Sequence, residues 1–136
     1  MRSLIIGALM VGAVLLIVSS CATVPTEPLS SGELRLIKIE VPQKEDLRER
    51  LPFVVNIGFE ADSTPEIVTA CFFWSGQGPH CSKVTNVTYG APGTIKVHLR
   101  PRNPGPYALE GYIVYMRDGK TQSTNVVGTH IRVLPQ

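Results

Sequence analysis

The 136-residue sequence has few of the residue patterns that mark enzymes or nucleic-acid-binding proteins. It contains no Gly-x-Ser-x-Gly nucleophile motif and no phosphate-binding glycine loop. Its 13 basic and 11 acidic residues are scattered, and the lack of a dense basic run argues against nucleic acid as a partner. We therefore expect no enzymatic activity, no cofactor and no metal site.

Histidine is also scarce, and its three positions are isolated from one another: His80, His98 and His130. The last two fall on predicted solvent-facing sides of strands. A shared metal-binding or acid–base role would need the fold to bring them together, so we expect ordinary surface histidines.

Long apolar runs are confined to the N-terminus. Met1 and Arg2 form a short positive end, and Leu4 to Val18 then contains only apolar residues and glycine. This run is shorter than the roughly 20 apolar residues that a membrane-spanning helix needs. The pattern predicts a cleaved export signal over residues 1–20, with an uncleaved anchor helix as the alternative.

The apolar run ends in Val18-Ser19-Ser20-Cys21. This tetrapeptide resembles the processing site of bacterial lipoprotein signals, in which an aliphatic residue and two small residues precede a cysteine. The resemblance implies that Cys21 receives a diacylglycerol, that a peptidase cleaves before it, and that the new amino group is acylated, for example by palmitate. Two or more acyl chains hold a protein stably on a membrane. The alternative is an ordinary cleavage site that leaves a free thiol.

The residue after the cysteine bears on localisation. In Gram-negative members of this class of signals, an aspartate there retains the protein in the inner membrane, and this chain has Ala22. The resemblance implies a lipid-anchored protein of the cell envelope, on the periplasmic face of the outer membrane if the cell is Gram-negative.

The odd number of cysteines fits this interpretation, because lipidation of Cys21 leaves Cys71 and Cys81 to pair. An exported protein meets an oxidising environment in which disulfides persist. The turn-forming segment between them would place the two cysteines opposite each other on a hairpin. The alternative is a metal site with His80, which we disfavour because adjacent strand residues point to opposite faces.

The remaining chain is predicted to be all-β. Residues 22–31 are rich in proline and serine and predict a flexible tether between Cys21 and a domain over residues 32–136. Alternating apolar residues predict about seven strands, with a possible bulge between Leu36 and Ile37. One stretch of helical composition, Gln43 to Arg50, predicts a solvated connection. The predicted strands are 33–41, 53–60, 67–74, 81–89, 94–100, 107–116 and 122–134.

The segment from Asn103 to Leu134 resembles the late strands of immunoglobulin-like (Ig-like) domains. In that family a tyrosine after a glycine-rich turn folds its hydroxyl back onto the preceding backbone, and Tyr107 matches this position. Asp118-Gly119 predicts the hairpin turn that follows. The resemblance implies a single antiparallel Ig-like or fibronectin-like β-sandwich, although Cys71 and Cys81 are too close in sequence for an antibody-type bridge between the sheets.

Three adjacent aromatic residues precede the hairpin tip: Phe72, Phe73 and Trp74. They are the candidate binding surface, because three consecutive strand residues cannot all face one core. Core packing is the competing interpretation for two of the three.

The sequence therefore predicts a lipid-anchored envelope protein whose Ig-like domain binds or scaffolds an envelope protein partner. The alternative is an accessory subunit or minor enzyme that acts on an envelope polymer. A pocket lined by His98, His130 or carboxylates would favour the enzyme.

Overall fold

The computed structural model describes residues 27–75 and 78–136. The predicted export signal, Cys21 and Ala22 lie outside these residues. The described part is all-β, and none of it forms a helix long and apolar enough to cross a membrane. Its ten strands are β1 (Leu34–Glu40), β2 (Leu47–Arg48), β3 (Phe53–Ala61), β4 (Glu66–Trp74), β5 (His80–Lys83), β6 (Val87–Thr88), β7 (Gly93–Leu99), β8 (Gly105–Arg117), β9 (Lys120–Ser123) and β10 (Val127–Leu134).

The strands form two sheets, which we call sheet A and sheet B. Sheet A has the order β1-β3-β7-β6, and sheet B has the order β2-β10-β8-β4-β5. The remaining strand, β9, pairs with the C-terminal part of β8, from Val114 to Arg117. These orders correspond to strands A-B-E-D facing G-F-C-C′ in an immunoglobulin-type sandwich. The chain is thus an Ig-like β-sandwich, which confirms the predicted fold class.

The core lies between the two sheets and follows from alternation along the strands. In β3, Phe53, Val55, Ile57 and Phe59 are buried and the residues between them are partly exposed. Opposite them, sheet B contributes buried side chains from β4, β8 and β10 to one continuous cluster. Such period-two burial on both facing sheets is what a sandwich core requires.

The seven predicted strands become ten for two reasons. The predicted strands 81–89 and 122–134 each divide into two, and the segment predicted to be a solvated connection contributes β2. Between β5 and β6 the chain leaves sheet B and joins sheet A. β2 pairs in parallel with the end of β10, and its Leu47 is buried in the core while residues 42–46 remain exposed.

The predicted irregularity in the first strand is confirmed. The pairing of β1 with β3 shifts register between Leu36 and Lys38. Arg35, just before this shift, is buried with 5% of its surface exposed. Its guanidinium forms ion pairs with Glu33 and Glu60, each at 3.3 Å.

The start of the described chain is held against the sandwich. Arg35 donates hydrogen bonds to the carbonyl oxygens of Glu27 and Pro28. The Arg117 Nε donates to the Ser31 carbonyl at 2.9 Å. Residues 27–31 were predicted to be part of a flexible tether, and in the structure they contact strands β1 and β8. The domain boundary at residue 32 stays a prediction.

Candidate functional site

Cys71 and Cys81 form a disulfide, as predicted, with 4.0 Å between their Cα atoms. They are directly paired across β4 and β5, so the bond joins the edge strand to the one neighbour that it has among the described residues. Cys71 is buried and Cys81 is exposed. Because each sulfur is bonded to the other, neither can act as a thiolate ligand to a metal with His80.

The three consecutive aromatic residues divide between the two faces of sheet B. Phe72 is completely buried and Trp74 is 9% exposed, and both belong to the core cluster. Phe73 is half-buried on the opposite face, with its ring centroid 5.6 Å from that of Tyr112. Phe72 therefore cannot contact a ligand, which corrects the three-residue binding surface to Phe73 on one face and the edge of Trp74 on the other.

Tyr107 forms the corner that the resemblance predicted. Its hydroxyl donates a hydrogen bond to the Asn103 carbonyl at 2.9 Å, four residues earlier. Its ring packs edge-on against Trp74, with 5.8 Å between the ring centroids. The corner fixes the loop between β7 and β8 against the end of the sandwich.

A cleft of about 380 Å³ lies at this end, between β5 of sheet B and the end of β7 of sheet A. Sheet B contributes Trp74, His80 and Ser82 to its walls, and Tyr107 closes one side. The other lining residues come from the end of β7 and the loop that follows it: His98, Leu99, Arg100, Pro101, Arg102 and Asn103.

Three arginines lie in or beside this cleft. Arg100 and Arg102 line it, and Arg50 joins them around the same loop. The Arg50 backbone N–H donates to the Pro101 carbonyl at 2.7 Å, which holds the two loops together. Among the described residues, none of these three guanidinium groups forms an ion pair, and no carboxylate lines the cleft.

This arginine cluster is not predictable from the sequence pattern. Arg100 and Arg102 are separated only by a proline, but two basic residues do not stand out in a balanced composition. Arg50 is distant in sequence and reaches the site through the loop contact with Pro101. The Arg-Pro-Arg segment that begins at the last residue of the predicted strand 94–100 is the one local sign of the cluster in the sequence.

Two strand edges border the cleft. β5 is the last strand of its sheet, and its four residues are exposed. On the other side, β6 pairs with β7 only at Thr94 and Ile95, and the Lys96 N–H then bonds the Asn86 carbonyl. Beyond Lys96, the described residues provide no partner for this edge of β7. Unpaired strand edges can pair with an added strand.

The structure brings two of the three histidines together. His80 and His98 both line the cleft and are exposed, whereas His130 lies on β10 and is exposed on a different part of the domain. Ser82 also lines the cleft, but no hydrogen bond joins it to either histidine. In the described residues, no group of three or more His, Cys, Asp or Glu side chains could hold a metal ion.

No family model matches the sequence, and no curated protein matches it. Among solved structures, the chain is similar to the CARDB domain of the PF1109 protein from Pyrococcus furiosus, which was crystallised in complex with di-metal ions. The TM-score is 0.47 at 9% sequence identity, over 81% of this chain and 100% of that one.

Proposed function

We propose that this protein is a lipid-anchored lipoprotein of the bacterial cell envelope whose Ig-like domain is a non-enzymatic binding module. The anchor is supported by the export signal and by the Val18-Ser19-Ser20-Cys21 sequence. The binding function is supported by the cleft at one end of the sandwich. The observation that carries it is that two unpaired strand edges, of β5 and β7, border one cleft.

The position of the cleft suits this role. The described chain enters at the end of the sandwich where Leu34 pairs with Ala61. The cleft lies at the other end, where Phe53 pairs with Leu99. These two ends are separated by the length of β3, about 26 Å at 3.3 Å per residue. A protein anchored through Cys21 would therefore present the cleft away from its attachment point.

The enzyme alternative has less support. His98 lines the cleft, which is one of the features expected of an enzyme, and His80 and Ser82 lie there too. Nucleophilic catalysis, however, needs a nucleophile in hydrogen-bond reach of a base that a third group orients. Neither that contact nor a carboxylate to orient a histidine is present among the described residues of the cleft.

Mass spectrometry of the protein from expressing cells tests the anchor. We expect the chain to begin at Cys21 and to carry diacylglycerol and a further acyl chain. The Cys21→Ala variant should leave the membrane fraction. A protein that retains residues 1–20, or an unmodified Cys21 in soluble protein, would contradict the anchor.

Photocrosslinking in living cells tests the binding function. A photoreactive amino acid at Ser82, in the cleft, should give a discrete protein adduct of reproducible mass. The same group at Asp118, in the turn at the opposite end, is the matched control and should not give that adduct. Absence of any adduct at Ser82, or equal adducts at both positions, would contradict a partner in the cleft.

A further inference from the structure

We infer that the segment bound in the cleft is an extended, acidic peptide of a protein partner. This inference rests on the proposed binding function and adds the chemistry of the partner. It joins two independent features of the described residues around the cleft: Arg100 and Arg102 line it without a carboxylate partner, with Arg50 beside them, and the adjacent strand edges carry unpaired backbone groups.

The arginines define the charge of the occupant. Arg50, Arg100 and Arg102 converge around Pro101 without a neutralising carboxylate among the lining residues. The nearby Glu49 carboxylate instead accepts a hydrogen bond from the Gln136 backbone N–H at 3.2 Å. Guanidinium groups bind carboxylates through two parallel hydrogen bonds, which makes them suited to acidic side chains.

The backbone defines the conformation of the occupant. The N–H and C=O of one strand residue point to the same edge, and those of the next residue point to the other. Because the Lys96 N–H faces the β6 side, the N–H and C=O of His98 face that side too. β6 ends its pairing at Ile95, so an extended peptide could continue the sheet along His98 toward Arg100.

The packing of Trp74, the tryptophan that lines the cleft, favours a peptide over a sugar as the ligand. A sugar stacks on an exposed ring face, but Trp74 is 9% exposed. Phe53 and Tyr107 both pack against it in edge-to-face geometry, each with 5.8 Å between ring centroids. The anchored membrane is also an unsuitable source of the anion, because the cleft lies at the end opposite Leu34.

Peptide selection tests the inference directly. The full-length protein, purified with the processing that the cell gives it, is used to select from a displayed library of random dodecapeptides. We expect selected sequences to be enriched in aspartate and glutamate at alternating positions. Selection of peptides without acidic enrichment would overturn the acidic partner and leave the binding function intact. Failure to select any peptide, while the Ser82 adduct forms, would overturn this inference alone.

Variants locate the binding site of a selected peptide. Fluorescence anisotropy should show at least tenfold weaker binding to the Arg100→Gln/Arg102→Gln double variant, because two charge-assisted contacts are removed. Lys44→Gln/Lys120→Gln, which also removes two positive charges but at exposed positions outside the cleft, is the matched control and should bind as the wild type does. Equal loss in both variants would indicate nonspecific charge attraction and overturn the site.

Backbone methylation tests strand addition. N-methylation of alternate peptide residues removes the N–H groups that pair with a strand edge and leaves the side chains in place. We expect one methylation register to abolish binding and the other to preserve it. Full binding by both methylated peptides would contradict strand addition. Vesicles of phosphatidylglycerol and free inorganic phosphate, used as competitors, should not displace the peptide, and displacement by either would show a general anion site.

Discussion

The side-chain amide of Asn125 bonds both backbone groups of Leu36. The Leu36 N–H donates to Asn125 Oδ1 at 2.8 Å, and Asn125 Nδ2 donates to the Leu36 carbonyl at 2.9 Å. Asn125 lies between β9 and β10 of sheet B, whereas Leu36 lies on β1 of sheet A where the register shifts. One side chain thus joins the two sheets and satisfies the backbone at an irregular point of the first strand.

Substitution of Asn125 should therefore weaken the domain more than its partial exposure suggests. Asn125→Ala leaves a part-buried N–H and C=O without partners, which costs about 1 to 3 kcal/mol. Asn125→Asp keeps the acceptor for the Leu36 N–H, but it loses the donor and places a carboxylate against the Leu36 carbonyl. It should therefore be at least as destabilising as Asn125→Ala at pH 7. Denaturant unfolding measures both, and a loss below about 0.5 kcal/mol would contradict the bridging role.

Position 93 must be glycine because the ring of Phe59, its partner on the neighbouring strand, occupies the space that a side chain would need. It pairs with Phe59, and a Cβ at Gly93 would lie 2.2 Å from the Cζ of that buried ring. Gly93→Ala should destabilise the fold by about 1 to 3 kcal/mol or prevent folding, because the packed core leaves the ring no room. Gly78→Ala is the control, since nothing lies within 4 Å of its added carbon. Similar thermal midpoints for both variants would show that the core can adjust.

Reduction of the Cys71–Cys81 disulfide should cost about 2.5 kcal/mol, because the bond closes a short loop in the unfolded chain. Unfolding with and without dithiothreitol measures this loss. The Cys71→Ala/Cys81→Ala double variant should be insensitive to the reductant. Since β4 is the sole sheet neighbour of β5 in the described part of the chain, reduction should also weaken binding of a selected peptide. Unchanged stability on reduction would show that pairing alone holds β5.

Glu33 should make stability depend on pH in the acidic range. A hydrogen bond from the Ser30 N–H at 2.8 Å and then the Arg35 charge hold the pKa of this carboxyl below its usual 4.5. Folding therefore favours the ionised form, and its stabilisation is present above pH 4.5 and lost as the pH falls through the lowered pKa. Glu33→Gln should cost about 0.5 to 1 kcal/mol at pH 7.

The pH profile of that variant provides the check. The difference in unfolding free energy between the wild type and Glu33→Gln should shrink as the solution becomes more acidic. A difference that stays constant from pH 7 to the acid limit of folding would show that the carboxylate charge contributes nothing.

Local patterns predicted much of this fold. The alternation in β3, the paired positions of Cys71 and Cys81, the irregularity after Leu36 and the Tyr107 corner all depend on residues close in sequence. Each is determined by strand periodicity or turn chemistry, which a short window contains.

Features set by distant contacts were not predictable in this way. The apolar pattern of residues 81–89 gives no sign that the chain changes sheets after Lys83, because either sheet satisfies the same alternation. Burial of Arg35 depends on Glu60 and on carbonyls of the preceding segment. The arginine cluster depends on the contact that brings Arg50 to Pro101.

In the proposed acylated form, the contacts that Arg35 makes with Glu27 and Pro28 would also limit the distance between the domain and the bilayer. Six Cα–Cα steps separate Cys21 from Glu27, so their span is at most about 21 Å in any conformation. With its lipid inserted in the bilayer, the sandwich would lie within one domain diameter of the lipid surface. The length of β3 would then contribute to the distance between the bilayer and the arginine-lined end, where the partner binds. Lengthening the chain before Glu27 should increase that distance and so widen the range of partners within reach.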